Sequence, residues 1–474
     1  MPETFYVTTT LPYVNAEPHI GFALEIVAAD IIARYHREIL QEPVIFNTGT
    51  DEHGQKIWQK AQAAGIDPQT YCDQYAEKFA DLRELLNLSY DHFIRTTDPK
   101  HVQAAQEFWR RAEAQGDIYK AEYQVKYCVG CELAKTESEL VDGHCPLHPN
   151  LELEIRQEEN YFFRFSRYAQ ALEKLYREEP NFVQPASRQK EILAFVKNGL
   201  EDFSISRLKE KMPWGIEVPN DPQHVMYVWF DALVNYISTL GWPETTGEFR
   251  AWPAVQLAGK DNLRQQAAMW QAMLLSAELP PSRKILINGF IGVNGQKMSK
   301  SLGNVIAPKD LVARYGRDAS RFLLAQLGPI GEDMDVSMEK FDIAYQSFLA
   351  NGIGNLCSRI AKLAETVALD VSDYQASLLP EFAAAMEKYD LRAALEIIKI
   401  AVATLDKKLA EEKPWLLTGQ EKIDALQSSS EELLDLALSL QIFLPETSRK
   451  IQQHFSSNPV SSFETGLFPR LTSL

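Results

Sequence analysis

The sequence predicts an α/β protein: an open parallel sheet, split by a cysteine-bearing, β-rich insertion and followed by an all-helical bundle. Three observations carry this. Strand-like runs alternate with helical periodicity through residues 1–116 and again through 223–290, the pattern of a parallel sheet covered by helices. Between those stretches, from Ile118 to Pro149, short β segments and turns surround four residues at metal-ligand spacing. Past about Phe341 the chain is almost wholly helical, with heptad-like apolar spacing in Ile353 to Leu369, Leu391 to Leu405 and Leu433 to Phe443, which reads as an antiparallel bundle. The chain accordingly divides into two halves of an α/β domain (1–116 and 223–290), an insertion (117–222), a loop and connecting stem (291–343) and a helical domain (344–474).

Phe5, Val7 and Thr9 alternate with other β-favouring residues, so the chain opens as a strand that Pro12, Asn15 and Pro18 end. From Gly21 apolar residues return at helical spacing (Leu24, Val27, Ala28, Ile31, Ile32), giving a strand, a tight loop and a helix whose first N–H groups lack intrahelical partners. That is an anion site: Gly21 lets a phosphate approach the backbone, and His19 offers an imidazole N–H to a phosphate oxygen. Val44 to Asn47 reads as a second buried strand, ending at Gly49-Thr50-Asp51-Glu52-His53-Gly54 with a helix from about Gln55. Ligands of open parallel sheets lie at such strand ends, so Asp51 is placed to meet a cation such as an α-ammonium; a helix N-cap is the plain alternative for either acidic residue. Helices over about Pro68 to Leu86 and Pro99 to Ala114 flank a short strand at His92 to Thr97.

Cys128 and Cys131, then Cys145 and His148, form two short-spaced pairs that place four ligands at the corners of a tetrahedron. The expectation is one structural zinc ion per chain, with no position left open for catalysis; His144 is the competing imidazole, and the spacing from Cys145 favours His148. Farther on, His224 to Leu233 reads as a buried strand running into a helix that carries Tyr236, Val255 to Asp261 as a strand with its loop, and Ile285 to Gly289 as another strand. Trp229 and Tyr236 need no function if they are core. The segment Lys297-Met298-Ser299-Lys300-Ser301, bracketed by glycines, is a mobile, donor-rich loop suited to a polyphosphate whose charge grows during displacement.

Composition bounds the rest. The 474 residues are 45% hydrophobic and 24% charged, an ordinary soluble composition, with no apolar run long enough to span a bilayer. Met-Pro-Glu-Thr at the start is no secretory signal, and five cysteines, three clustered with a histidine, favour metal ligation in a reducing compartment, so a cytoplasmic location is expected. The net charge of −17 opposes a nucleic-acid partner on average but leaves room for a local basic face.

Pro18-His19-Ile20-Gly21, paired in this order and at this separation with Lys297-Met298-Ser299-Lys300-Ser301, resembles the class I aminoacyl-tRNA synthetases. Together with Gly49 to Gly54 and Tyr227-Val228-Trp229-Phe230-Asp231-Ala232, the chain resembles the methionyl-tRNA synthetases over nearly its full length. The resemblance implies a Rossmann-type catalytic domain, a zinc-bearing connective insertion and a helical anticodon-binding domain. It implies ATP-dependent activation of L-methionine and transfer to the terminal ribose of tRNA(Met), initiator and elongator, with Mg²⁺ carried by ATP. On this resemblance His19, Lys297 and Lys300 are catalytic; His19, Gly21, Gly259, Asp261 and Lys300 bind ATP; and Leu11, Tyr13, Asp51, Trp229, Ala232, Tyr236 and Gln266 hold methionine. Asn355, Arg359 and Trp415 correspond to anticodon-reading residues, although each alone reads as a cap, a solvated helix residue and a core anchor at a proline-started helix. A monomer is expected, since no dimerisation domain follows the helical one. Two positions depart from the family: Phe22 stands where a second histidine ends the first motif, and Gln266 where the methionine pocket has a histidine. They keep open the alternative of a synthetase-like tRNA-binding protein with weak or no adenylate formation.

Overall fold

Six parallel strands form the central sheet: β1 (Phe5–Thr8), β2 (Val44–Thr50), β3 (His92–Arg95), β4 (Val183–Gln184), β5 (Val255–Gly259) and β6 (Lys284–Asn288). Their spatial order is β3-β2-β1-β5-β6-β4, every neighbouring pair parallel, with Val7 opposite Phe46 on one side and Val255 on the other. The order reverses between β1 and β5, so the carboxyl ends of those two strands open a crevice between them. This is a computed structural model; it describes residues 3–131, 133–135, 140–298, 304–327, 333–457 and 459–471, without the side chains of 123–125, 133–134, 156–158 and 297.

All four β1 residues are buried because helices cover both faces. Phe5 and Val7 face a core shared with α1 (Ile20–Arg34), whereas Tyr6 points to the opposite core, among Phe108, Phe230, Tyr236 and Trp270. The first core runs without interruption into the helical bundle of α3 (Asn355–Glu365), α4 (Leu391–Glu412), α5 (Gly419–Leu440) and α6 (Pro445–Phe455), through Leu356, Leu395 and Leu433.

At that junction Arg321, in the helix Arg317–Ala325, is fully buried. Its guanidinium lies 2.8 Å from Asp30 of α1 and donates to the carbonyls of Leu86, Ile442 and Phe443 at 3.0, 3.0 and 3.2 Å. Burial opposes ionisation of Asp30, but Arg321 and Arg34 hold its carboxyl below the usual range. One planar fork thus ties the first helix, the end of the segment 82–86 and the bundle together.

The insertion is built on a long antiparallel pair, Ile118–Cys128 with Glu154–Phe163, Ile118 opposite Phe163. Residues 183–184, within the stretch read as insertion, instead supply the edge strand β4 of the central sheet. Other boundaries shift for local reasons. β2 extends through Gly49 and Thr50, so the motif begins inside the strand. The helix expected over 68–86 divides into Pro68–Ala80 and Leu82–Leu86 at Asp81. The strand expected from His224 lies at Asp221–Met226, and Trp229 falls on the short helix Val228–Ala232. Trp415 sits in the turn joining α4 and α5 and starts no helix.

Candidate active site and metal knuckle

The loop from β1 into α1 is closed by His19, whose Nδ1 accepts the Gly21 N–H at 3.0 Å. Ile20 N–H donates to Ile306 O, and those of Phe22 and Ala23 to His19 O. The expectation of unpartnered N–H groups at this helix start is therefore corrected: the imidazole itself is the N-cap. This fixes the tautomer, because an accepting Nδ1 leaves the proton on Nε2, and His19 is exposed. Gly21 is required by the same contact, since a Cβ there would stand 2.8 Å from the imidazole.

Glu25 escapes a reading of motifs but joins the two loops of the crevice. Its Oε1 accepts Thr10 N–H at 2.7 Å and Thr10 Oγ1–H at 2.6 Å, and the carboxylate also takes a backbone hydrogen bond from Gly259. Burial pushes this carboxyl up to about 8, against the pull of those donors. The available signal is one acid inside the apolar run Ala23-Leu24-Glu25-Ile26-Val27. Gly259 closes β5 and Asp261 is exposed just beyond it, in the turn Lys260–Asn262.

Across the crevice, Asp51 and Tyr13 form a parallel bridge, with Asp51 N–H donating to Pro12 O at 3.0 Å and Val14 N–H to Asp51 O at 3.2 Å. Neither Asp51 nor Glu52 caps the following helix α2 (Gln55–Ala64); its N-cap is Gly54. Glu52 is committed elsewhere: Arg95 reaches it through Nε and Nη2 at 2.7 and 2.9 Å, and the hydroxyls of Thr50 and Thr97 donate to it. Asp51 is the acid of this motif whose backbone pairs with the Tyr13 loop. Trp229 and Ala232 lie on the short helix Val228–Ala232, and Tyr236 donates to Gln266 Oε1 at 2.9 Å. Asp51 and Glu25 both bear electrostatically on the Tyr236 hydroxyl, so these side chains share one neighbourhood. Leu11 is half-buried in the β1–α1 loop.

Asp231 forms a second centre that motifs alone do not disclose. His53 Nδ1 stands 3.2 Å from Asp231 Oδ2 and His101 Nε2 3.9 Å from Oδ1, all three buried. Burial would raise the Asp231 carboxyl, but the two imidazoles hold it below the usual range. The contact anchors the Gly49–Gly54 loop to the short helix carrying Trp229.

Lys297 pairs in a short strand through its backbone, Gly292 opposite Lys297, while Lys300 with Ser299 and Ser301 lies outside the described residues. In the bundle, Asn355 is exposed at the start of α3, Trp415 is 46% exposed, and Arg359 forms an ion pair with Asp406. Asp406 lies on α4 roughly 9 Å along the axis from the end that leads to Trp415.

The four metal-ligand candidates converge. The donor atoms of Cys128, Cys131, Cys145 and His148 all fall within 4.8 Å of one another; Cys131 Sγ is 3.3 Å from Cys145 Sγ and 3.2 Å from His148 Nδ1, and Cys128 Sγ is 3.8 Å from the same nitrogen. A tetrahedral zinc site puts thiolate and imidazole donors roughly 3.5 to 3.8 Å apart, so the set fits that ion. His144 is exposed and bonded to Asp142 O, away from the cluster. Gly130 is needed here, since a Cβ would meet the His148 ring at 2.4 Å. Lys56 of α2 donates to Gly130 O at 2.6 Å and so connects the knuckle to the Gly49–Gly54 loop.

A family model described as tRNA synthetases class I (M) matches residues 5–152 and 149–361. The methionine–tRNA ligase of Synechocystis sp. is 42% identical over 476 residues, covering 95% of this chain and 89% of that protein. The chain belongs to the methionyl-tRNA synthetases. The ligase of Thermotoga maritima is 40% identical, covering 95% and 75% of the two chains. The Mycobacterium tuberculosis methionyl-tRNA synthetase, solved in complex with methionyl-adenylate, superposes with a TM-score of 0.90 at 34% identity, covering 99% of this chain and all of that one.

As a methionyl-tRNA synthetase the chain keeps the family architecture, and Phe22 and Gln266 stand at the two positions where the resemblance implied an imidazole. Phe22 packs edge-on against Phe79 at 5.4 Å and adds to the core, offering no polar contact. Gln266 is buried behind Tyr236. Among the described residues no helix is long and apolar enough to cross a membrane.

Proposed function

We propose that the chain activates L-methionine with ATP, forming methionyl-adenylate and pyrophosphate, and then transfers the methionyl group to the terminal ribose of initiator and elongator tRNA(Met). The observation carrying this reading is the meeting of two nucleotide-type loops at the sheet's reversal point, His19–Gly21 and Gly259–Asp261, clamped together by Glu25. The alternative of a tRNA-binding relative without efficient adenylate formation is not favoured, since the chain matches catalytically named relatives over nearly all its length.

The methionine carboxylate is the nucleophile. Its oxygen attacks the α-phosphorus, the bond to the β-phosphate oxygen breaks, and pyrophosphate leaves with the electron pair. Little acid–base machinery is needed, and catalysis is positioning plus stabilisation of phosphate charge. His19 donates from Nε2 to a phosphate oxygen; Lys297 and Lys300 neutralise charge developing on the leaving pyrophosphate. Gly21 lets the phosphates approach, while Gly259 and Asp261 hold the adenosine. Asp51 receives the α-ammonium, and Leu11, Tyr13, Trp229, Ala232, Tyr236 and Gln266 enclose the side chain, whose polarizable sulfur suits aromatic edges. Mg²⁺ arriving with ATP adds neutralising charge on the phosphates.

Zinc on Cys128, Cys131, Cys145 and His148 shapes the knuckle and takes no part in the reaction. Asn355, Arg359 and Trp415 read the anticodon, the indole stacking on a splayed base while the guanidinium and amide meet polar edges. Five cysteines with no disulfide between them, three of them in the zinc set, suit a cytoplasmic, reducing setting.

The test is charging of tRNA(Met) with labelled methionine by the wild type and by Lys300→Ala. The variant should lose about 2 to 4 kcal/mol of transition-state stabilisation in adenylate formation, with methionine affinity little changed. A loss confined to the methionine KM removes Lys300 from the phosphate role, and a wild type that charges no methionine removes the reading itself.

A further inference from the structure

Two cations laid over aromatic rings border the turn that leaves the crevice. Gly259 ends β5, and the chain passes through the turn Lys260–Asn262 to Arg264. The Lys260 ammonium stands 4.1 Å from the centre of the Phe290 ring, and the Arg264 guanidinium 4.6 Å from that of Phe195. Phe195 belongs to the helix Ala186–Lys197, which follows β4. That helix turns Gln189, Ile192 and Val196 inward at helical spacing, so its neighbouring face carries Arg188 and, two turns on, Phe195. Arg188 acts on the same Asp333 carboxylate that holds Lys260 at 2.6 Å. The helix therefore runs along the rim of the crevice, meeting it near Lys260 with its first turn and at Arg264 with its last.

Phe195 packs against the core yet stays half-buried, and Arg264 is exposed. A guanidinium held over a fixed ring presents a flat, charged outer face, the shape on which a nucleotide base stacks while the charge draws the adjoining phosphate. Single-stranded RNA is bound through such aromatic and guanidinium planes. The reaction proposed above brings one such strand to this rim: the terminal ribose of the tRNA has to reach the adenylate in the crevice, so the unpaired nucleotides before it cross the edge. A net charge of −17 repels RNA from most of the surface and leaves the approach to local features. Glu191 pairs with Arg188 and Asp333 with Lys260, so at this edge stacking carries the contact more than net charge does.

We propose that Arg264, stacked on Phe195, is a docking platform for the single-stranded 3′ end of the tRNA at the crevice rim, engaged during methionyl transfer and not during adenylate formation. The inference rests on the reading that the chain charges tRNA(Met). A pair that only seals the surface of the core would leave every tRNA-dependent step untouched.

The experiment compares the wild type with Phe195→Leu and Arg264→Gln. Leu keeps the apolar contact with the core and loses the flat ring; Gln keeps a polar chain and loses the charged plane. Three quantities are measured: kcat/KM for charging tRNA(Met), the rate of ATP–pyrophosphate exchange, and inhibition of charging by tRNA(Met) trimmed of its unpaired 3′ nucleotides. Charging should fall about fivefold or more in each variant, as expected for one lost stack, with exchange within about twofold of wild type. The trimmed tRNA should inhibit variants and wild type equally, because it lacks the segment the platform holds. Charging within about twofold of wild type, in a variant whose melting temperature is retained, overturns the proposal. So does exchange that falls in step with charging, which would make the pair a support of the Lys260–Asn262 turn, and so does trimmed tRNA that inhibits the variants less well, which would place the lost contact elsewhere on the tRNA. Should one variant not fold, the other decides. A wild type that charges no tRNA(Met) removes the underlying reading, a failure distinct from wild-type charging that the variants leave unchanged.

Discussion

Glu25→Gln should flatten the stability of the protein between pH 6 and pH 8. The Glu25 carboxyl is raised from its ordinary 4.5 to about 8 because it is buried between Thr10 and Gly259. In that window the folded chain holds a proton on Glu25 that the unfolded chain has released, so folding stability declines as pH rises from about 4.5 to about 8. Each pKa unit corresponds to about 1.4 kcal/mol, so the whole window is on the order of 5 kcal/mol; integrated from pH 6 to 8, with half of Glu25 ionised at the upper end, it comes to about 2 kcal/mol. For a cooperative unit of a few hundred residues this corresponds to a shift of about 3 °C. Glutamine accepts from Thr10 as the acid does and has no proton to lose. Melting curves at pH 6 and pH 8 should show wild type losing about 3 °C more than the variant across that step. His36 and other groups titrating nearby contribute equally to both proteins and cancel in the difference. The same pH dependence in wild type and Glu25→Gln would refute a neutral, bridging carboxyl at this position.

Cys145→Ser should lower bound zinc well below one ion per chain and destabilise the insertion, and Gly130→Ala should do so more mildly by pressing on the His148 ring; elemental analysis at full zinc content would contradict it. Arg321→Met leaves Asp30 buried beside a single remaining guanidinium and strips Leu86, Ile442 and Phe443 carbonyls of a donor, which should cost about 3 to 5 kcal/mol in denaturant titration; a loss under about 1 kcal/mol would show that the junction does not depend on it. Trp415→Ala should lower aminoacylation of tRNA bearing the CAU anticodon by about 1 to 3 kcal/mol of lost stacking while leaving exchange unchanged; a parallel fall in both assays in a folded protein would make Trp415 a structural anchor.

Much of this was legible because it rests on short-range rules. The strand–loop–helix from Phe5, the ligand pairs of the knuckle and the helical periodicity after Phe341 are local patterns, and the structure contains each. What sequence reading missed depends on contacts between distant segments. Arg321 looks like an ordinary helix residue until Asp30, Leu86 and Ile442 are brought around it. β4 is two residues long and gains its place only by pairing Val183 with Ile285. The N-cap role of His19 was not legible, because imidazole is both donor and acceptor and residue type alone does not choose which nitrogen does which. Glu25 and Asp231 are single acids in apolar surroundings, a signal that marks something buried and polar but not what it touches.

The central claim is methionine activation at the β1–β5 crevice despite Phe22 and Gln266. Amino-acid-dependent ATP–pyrophosphate exchange with the purified wild type, run across the protein amino acids one at a time, tests it most directly. Exchange stimulated by methionine alone is the predicted result; no stimulation by any amino acid, or stimulation by a different one, would contradict it.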